Sequence, residues 1–291
     1  MVPVTHVFEW AEYSEKARKG LFREFGQVGA KHLVLTGQLL GLVMQKNAHA
    51  VALKQEIADA GMSFNDGHAL FGVHDDLCLP FEEYRPMMIS RHSLALEACA
   101  LMEVKTLTIH VGNGNAAYGE RSVEELHLNV RRGLEALLPV AERCGVVICI
   151  ENIWSPLNDS AALLDHIEYF NSPWLGICYD AGHANLMARD PGVEGAASKQ
   201  WAYFKKPVQW DDKLLEKILP HVVNCHLHDN LGVVDDHILP FQGTINWERE
   251  MSLLAKAPRL QVIQNEVLPM RKGVSITDMV SSFDDLMKLY K

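Results

Sequence analysis

The sequence predicts an α/β fold in which eight parallel strands close into a (β/α)8 TIM barrel. Eight short apolar runs, rich in β-branched residues, alternate with longer segments of helical spacing. Apolar residues occupy both the odd and the even positions of these runs, so both faces of each strand are apolar. This pattern is typical of parallel strands buried between helices and a barrel interior. Eight strand–helix repeats are the number that closes such a barrel. The predicted strands are VPVTHVF, KHLVLTG, GMSFND, VKTLTIHVG, GVVICIEN, LGICYDAG, HVVNCHLHD and LQVIQNEV.

The segments between these runs carry helix start and stop signals. Ser122 followed by Glu125 forms a capping box before a long amphipathic segment, and Gly145 ends that segment. Ser275 and Asp278 repeat the start signal before the last helix. The alternative, an open doubly wound sheet, requires a glycine-rich turn after the first strand, and HVFEWAE has no glycine. These signals favour the barrel.

Residues 1–291 are predicted to form a single domain, because no linker-like or low-complexity stretch divides them. The stretch at about 189–213 is longer than one helix and its loop, and it carries several aromatic residues. We expect an aromatic-rich insertion there, acting either as a lid that stacks on a substrate or as a packed surface. A packed aromatic surface can be a contact between copies of the chain, so we also expect a homo-oligomer.

Composition excludes a disordered, collagen-like or small disulfide-stapled protein. The chain is 48% hydrophobic and 22% charged, with a formal net charge of −10. Its six cysteines lack C-x-x-C spacing, and no export or membrane-insertion signal is visible, which predicts a cytoplasmic protein without a membrane partner. The acidic balance disfavours a broad nucleic-acid surface but leaves room for a local basic patch.

Metal-binding residue types fall at the ends of five consecutive predicted strands. The C-terminal ends of barrel strands converge on one face, so we expect these side chains to share one cup. Several carboxylates buried together raise one another's pKa, and a divalent cation removes that cost. The pattern therefore predicts a metal site. Its residues are His110, Glu151, Asp180, His226 and Glu266.

Four further candidate ligands lie close by in the sequence: His68, His183, and the D-x-H pair Asp235 and His237. Taken singly, each has an equally good explanation as a polar surface residue. The combined set of five imidazoles and four carboxylates exceeds what one ion uses, so we expect one to three divalent ions per chain. Histidine and carboxylate ligands without cysteine suit Zn²⁺ or Mn²⁺ first, and also Co²⁺ or Fe²⁺.

Taken in order, these strings resemble the xylose isomerase-like TIM barrel superfamily, which includes sugar isomerases and epimerases and endonuclease IV-type apurinic endonucleases. The resemblance covers nearly the whole chain. It implies a metal-dependent isomerase or epimerase that acts on a small sugar, sugar phosphate or polyol by proton transfer next to a carbonyl. The strings that carry it are HALFG, TIHVG, CIEN, YDAGH, CHLHDN, DDHILPFQGTINW and NEV.

In the isomerase and epimerase branch, the resemblance implies a single metal ion and two catalytic glutamates. Glu151 or Glu266 removes a proton, and the other returns one. His183 then contacts the oxygens of the substrate. The metal ligands carried over from this branch are Glu151, Asp180, His226 and Glu266.

The nuclease branch gives the alternative, a zinc-dependent phosphodiester hydrolase. Its trinuclear cluster is matched here at every position, by His68, His110, Glu151, Asp180, His183, His226, Asp235, His237 and Glu266. Against it, GQLLGLVMQKN after the second strand has no arginine, and HALFG replaces an aromatic DNA-penetrating loop. The ketose epimerases also fit imperfectly, because no arginine lies between His226 and Arg249. A barrel that binds sugar or metal without turnover is a third class.

Overall fold

A computed structural model describes residues 2–8, 14–112, 118 and 120–291, the side chains of 271 and 272 apart. Eight parallel strands form a closed barrel in sequence order, and the last strand pairs with the first. The predicted (β/α)8 TIM barrel is confirmed. The strands are β1 (Val4–His6), β2 (His32–Thr36), β3 (Ser63–His68), β4 (Thr106–Ile109), β5 (Val147–Glu151), β6 (Leu175–Asp180), β7 (Val222–Leu227) and β8 (Val262–Asn265).

Helices follow the strands and cover the outside of the barrel. Within the described ranges, no helix is both long enough and apolar enough to cross a membrane. A short 3-10 helix, Leu219–His221, leads into β7. The helices are α1 (Glu15–Gln27), α2 (Gly37–Gln45), α3 (Asn47–Asp59), α4 (Arg85–Leu101), α5 (Val123–Cys144), α6 (Ser160–Phe170), α7 (Ala181–Met187), α8 (Ala196–Tyr203), α9 (Leu214–Ile218), α10 (Trp247–Leu254), α11 (Pro269–Lys272) and α12 (Ile276–Met287).

The predicted helix caps are present. The side chain of Ser122 accepts a hydrogen bond from the backbone N–H of Glu125 at 3.1 Å, at the start of α5. Gly145 ends α5 with φ 64°, a left-handed conformation that glycine adopts without steric cost. Ser275 caps α12 through the backbone N–H of Asp278 at 3.0 Å. Each serine cap stabilises its helix by about 1 kcal/mol.

The main apolar core lies between the strands and the helices. Alternate residues of each strand face outward into it, such as Leu107 and Ile109 of β4 and Ile148 and Ile150 of β5, all fully buried. Truncating one of these side chains to alanine costs about 2–5 kcal/mol, since the cavity left behind closes only in part. This core holds the strand ends in place.

The interior of the barrel is more polar than the sequence predicted. The inward-facing residues of β3, β4 and β7 include Asp66, Thr106, Thr108 and Asn224, and all are buried. These groups hydrogen-bond to one another, which offsets the cost of taking them out of water. An apolar cluster of Val147, Cys149, Cys178 and Val223 fills another part of the barrel. The expectation of apolar residues on both faces therefore holds only for some strands.

The six cysteines are free, as their spacing predicted, and five of them are buried. Burial raises the pKa of the Cys149 and Cys178 thiols well above their usual range. These two residues therefore pack as small apolar side chains.

The stretch 189–213 contains α8 and packs against the barrel through its own small cluster. Trp201 is buried there with Met187 and Ala197, and Trp154, Val208 and Trp210 pack around them. The backbone N–H of Ala196 donates to the carbonyl of Val233, in the loop after β7, at 2.8 Å. The stretch is therefore fixed both to the loop after β5, which carries Trp154, and to the loop after β7.

Candidate metal centre

Glu151, the last residue of β5, lies at the centre of a cluster at the C-terminal mouth of the barrel. Its Oε2 is 2.8 Å from Nε2 of His110, which follows β4. Its Oε1 is 3.1 Å from Nδ1 of His226, on β7. Nε2 of His68, the last residue of β3, is 4.0 Å from Oε2. Three strands, β3 and β4 on one side of β5 and β7 on the other, thus bring imidazoles to one buried carboxylate.

Two more carboxylates complete what we term the first donor group: Glu151, Asp180, His226 and Glu266. Nδ1 of His226 lies 3.4 Å from Oε1 of Glu266 and 3.9 Å from Oδ2 of Asp180. One ligand atom from each member lies within 4.8 Å of every other, and His68, Glu151 and His226 form an overlapping triad by the same measure. The first donor group has the composition that suits a divalent cation.

A second donor group lies beside the first and consists of His183, His228, Asp235 and His237, again with ligand atoms within 4.8 Å of one another. Nε2 of His237 is 2.9 Å from Oδ2 of Asp235, and Nε2 of His183 is 3.6 Å from the same oxygen. Oδ1 of Asp180 is 3.3 Å from Nε2 of His228. Asp180 therefore lies between the two donor groups.

His228 was not among the site residues predicted from the sequence. It follows His226 by two residues, so both rings leave β7 on the same side, and this H-x-H spacing was the available signal. Its ring fits because the first turn of α7 carries glycine there. A Cβ on Gly182 would lie 1.9 Å from the His228 ring. The backbone of α7 can approach the imidazole only without a side chain.

The donor chemistry of both groups fits divalent cations. Nδ1 of His68, His183 and His237 each lies 2.8–2.9 Å from a backbone carbonyl oxygen, which can only accept. Each Nδ1 therefore holds a proton, and Nε2 is the nitrogen that faces the cluster and that a cation would bind in place of a proton, the arrangement that metal-binding histidines use. Several buried ligand atoms in the cluster also have no hydrogen-bond partner. They are Asp180 Oδ2, Asp235 Oδ1 and both ring nitrogens of His228.

Electrostatics in the first donor group hold Glu151 and Glu266 ionised. Burial raises the pKa of Glu151, but the neighbouring charges of His226 and His110 outweigh burial and keep this pKa well below its usual range. The pKa of Glu266 is also lowered, because His226 outweighs burial there as well. Burial lowers the pKa of His68 to about 4, so its ring is neutral at pH 7. Ionised carboxylates and a neutral imidazole are the protonation states that bind cations.

Aromatic side chains line the mouth above the donor groups. The ring of Phe71 stacks on His110 with centroids 4.7 Å apart, and Phe71 remains 63% exposed. The ring of Trp154 meets His183 edge-on at 4.8 Å. These rings give the polar cup two apolar walls that a small molecule would contact on entry.

Comparison with known proteins agrees with this architecture. The family described as xylose isomerase-like TIM barrel matches residues 30–263. The uncharacterized protein y4fM of Sinorhizobium fredii is 25% identical over 231 residues, which cover 70% of this chain and 66% of that protein. The chain therefore spans less than two thirds of that relative's length.

Two solved structures are similar over almost their whole length. A D-tagatose 3-epimerase-like protein has a TM-score of 0.73 and 20% identity, covering 99% of this chain and 97% of that one. The 3-keto-D-glucoside 4-epimerase YcjR from E. coli has a TM-score of 0.72 and 16% identity, covering 98% and 100%. At these identities the likeness shows a common fold. With its closed eight-stranded barrel and a family match over residues 30–263, the chain belongs to the xylose isomerase-like TIM barrel family.

Proposed function

We propose that this protein is a metal-dependent sugar isomerase or epimerase that transfers a proton next to a carbonyl group. One observation carries the proposal. Nδ1 of His226 lies 3.1 Å from an oxygen of Glu151 and 3.4 Å from an oxygen of Glu266, so carboxylates from β5 and from beyond β8 meet at one point in the cup. Two carboxylates within reach of one substrate supply the two groups that removal and return of a proton require.

The first donor group would hold the divalent ion, Zn²⁺ or Mn²⁺, through Glu151, Asp180, His226 and Glu266. When bound, such an ion supplies Lewis acidity that polarises a carbonyl oxygen. Glu151 and Glu266 are ionised, because histidine charge lowers both pKa values, so each can accept a proton from carbon. His183, whose Nδ1 is fixed on the carbonyl of Asn152, orients its Nε2 toward the cup and contacts substrate oxygens.

Phe71 and Trp154 would bind the apolar faces of the sugar and exclude water from the reacting carbon. Exclusion of water makes a glutamate, which exchanges its proton with solvent between turnovers, the group that returns a proton to the carbon. The natural ligand on this proposal is a small sugar, sugar phosphate or polyol, which the cup and its two aromatic walls would enclose.

The second donor group favours one other candidate, the endonuclease IV-type phosphodiester hydrolase. His183, Asp235 and His237 add to His68 and His110 a set of ligands that a single-ion proton transfer does not use. Additional cations around the cup would stabilise charge on phosphate oxygens. We rank this function second because the chain carries a net charge of −10.

Deuterium exchange tests the proposal directly. The protein, loaded with Mn²⁺ or Zn²⁺, is incubated in D₂O with a panel of ketoses, aldoses and their phosphates, beside a duplex that carries an abasic site. We expect cation-dependent exchange at the carbon next to the carbonyl and no nicking. Nicking at catalytic rates without exchange would establish the hydrolase instead. Retention of a sugar with neither exchange nor epimerisation under every cation would establish a binding protein.

A further inference from the structure

A column of buried polar side chains lies inside the barrel beneath His226. Thr108, Asn224 and Asp66 are each 0% exposed. Oγ1 of Thr108 is 3.4 Å from Nε2 of His226, and Nδ2 of Asn224 donates to Oγ1 of Thr108 at 2.9 Å. The same amide nitrogen lies 3.2 Å from Oδ2 of Asp66. A continuous chain of hydrogen bonds therefore connects the barrel interior to the first donor group.

The lower end of this column is fixed. Oδ1 of Asp66 accepts the hydroxyl proton of Thr106 at 2.6 Å and the backbone N–H of Gly67 at 2.9 Å. Because its neighbours here are donors, Asp66 requires the NH₂ end of Asn224, and not its oxygen, to face it. That orientation directs an N–H of Asn224 at Thr108 and so fixes the Thr108 hydroxyl oxygen below the imidazole.

The imidazole of His226 can bind a cation through Nδ1 only when Nε2 holds the proton. Nδ1 is the nitrogen that faces the three carboxylates, whereas Nε2 faces Thr108. The hydroxyl oxygen of Thr108 is the acceptor that this Nε2 proton requires. Hydrogen bonds of this kind, behind a ligand histidine, fix the ring and typically change metal affinity by about 10–100-fold.

We infer that Thr108, Asn224 and Asp66 are positioning residues that hold His226 with Nε2 protonated and Nδ1 free for a divalent cation. The inference rests on the part of the proposed function that places a cation in the first donor group. It does not depend on which reaction the cation serves. None of the three side chains touches the substrate.

The experiment compares Thr108→Val with a matched control. Thr108→Val keeps the shape of the side chain and removes the acceptor. Thr5→Val makes the same change at another fully buried threonine, on β1, whose hydroxyl has no hydrogen-bond partner. Thr108→Ser retains the hydroxyl and should bind the cation as the wild type does. Dissociation constants for Mn²⁺ and Zn²⁺ are measured on the folded proteins by competition with a chelator.

We expect Thr108→Val to weaken Zn²⁺ binding by about 10-fold or more, with Thr5→Val and Thr108→Ser within about two-fold of the wild type. Nitrogen-15 NMR of the Zn²⁺-loaded wild type should show His226 protonated at Nε2. Equal affinity in Thr108→Val and Thr5→Val, or a proton on Nδ1 in the loaded protein, would overturn the inference. If Thr108→Val does not fold, Thr108→Ala gives the same affinity comparison, with Thr5→Ala as its control. Absence of sugar exchange together with the expected affinities would reject only the proposed reaction.

Discussion

Nδ1–H of His237 donates a hydrogen bond to the backbone carbonyl oxygen of Glu266, at 2.8 Å. The bond joins the loop after β7, which supplies Asp235 and His237, to the residue that follows β8. It also joins the second donor group to the first. Because the acceptor is a backbone oxygen, the side chain of Glu266 can be changed without removing this connection. The proposed acid–base role of the Glu266 side chain can therefore be tested without breaking this bond.

We predict that Glu266→Gln abolishes sugar proton exchange and leaves the barrel folded. The amide retains the size of the side chain and cannot accept a proton from carbon, so the rate should fall by about 10²–10⁴-fold. Exchange in D₂O and thermal unfolding measure the two effects. Glu56→Gln is the control, a buried carboxylate that pairs with Arg18 away from the mouth and should keep its activity. Near wild-type exchange in both Glu266→Gln and Glu151→Gln would contradict the assignment.

His237→Ala should selectively weaken the second donor group. The substitution removes the imidazole that lies 2.9 Å from Asp235 and leaves the first donor group with all four of its members. On the proposed function, elemental analysis after dialysis should find one cation per chain in the variant and in the wild type, and a lower number in the variant would favour the hydrolase. His74→Ala, at an exposed histidine, serves as the control and should retain the wild-type number. An unchanged metal content in His237→Ala would show that the second group binds no ion.

Phe71→Ala should impair substrate binding more than protein stability. The ring is largely exposed and its main contact is the stack on His110. Its loss should cost less than about 1 kcal/mol of unfolding free energy, since surface substitutions usually have small effects. We expect KM for the sugar to rise by several-fold while Zn²⁺ affinity remains unchanged. Unaltered steady-state kinetics across the substrate panel would remove Phe71 from the binding site.

His166→Leu should stabilise the protein, and more so in acid. His166 on α6 is fully buried, and neither ring nitrogen has a hydrogen-bond partner. Burial, aided by the charge of His127, lowers its pKa from 6.5 to about 3. As pH falls below 6.5, the unfolded chain takes up a proton that the folded chain does not, so stability is lost.

Leucine does not titrate, so the variant does not lose stability in this way as the pH falls. Between pH 7.5 and pH 5.0 its advantage over the wild type should grow by about 2 kcal/mol, at 1.36 kcal/mol per pKa unit. Urea unfolding at both pH values measures the difference. His74→Leu, which changes an exposed ring, should alter stability by less than about 0.5 kcal/mol at pH 7.5. An advantage for His166→Leu that does not vary with pH would contradict the buried neutral histidine.

The strands, the helix caps and the convergence of distant side chains could be predicted from sequence because each depends on local pattern. Ser122 and Gly145 act through their own neighbours in the chain, and Glu151 and Asp180 end apolar strands that must be parallel in a barrel. The strand pattern alone therefore indicated which face the carboxylates share.

The polar interior and the site role of His228 could not be predicted from the sequence, because they depend on contacts between distant parts of the chain. Asp66 and Asn224 are 158 residues apart, and either alone would be unfavourable inside a barrel. Each is tolerated through the other and through its hydrogen bonds with Thr106, Gly67 and Thr108. The position of His228 depends likewise on Gly182, in an element that precedes it by 46 residues. Composition and periodicity carry no information about such pairing.

The stretch 189–213 reaches the mouth through Trp154 and through the loop at Val233, and contributes none of the nine predicted ligands. Changes in its length or its aromatic residues would therefore alter the width of the entrance, while the proposed acid and base, Glu151 and Glu266, stay in place at the ends of β5 and β8. Sequence changes confined to the stretch 189–213 could alter which molecules enter the mouth, while the residues of the two donor groups stay the same.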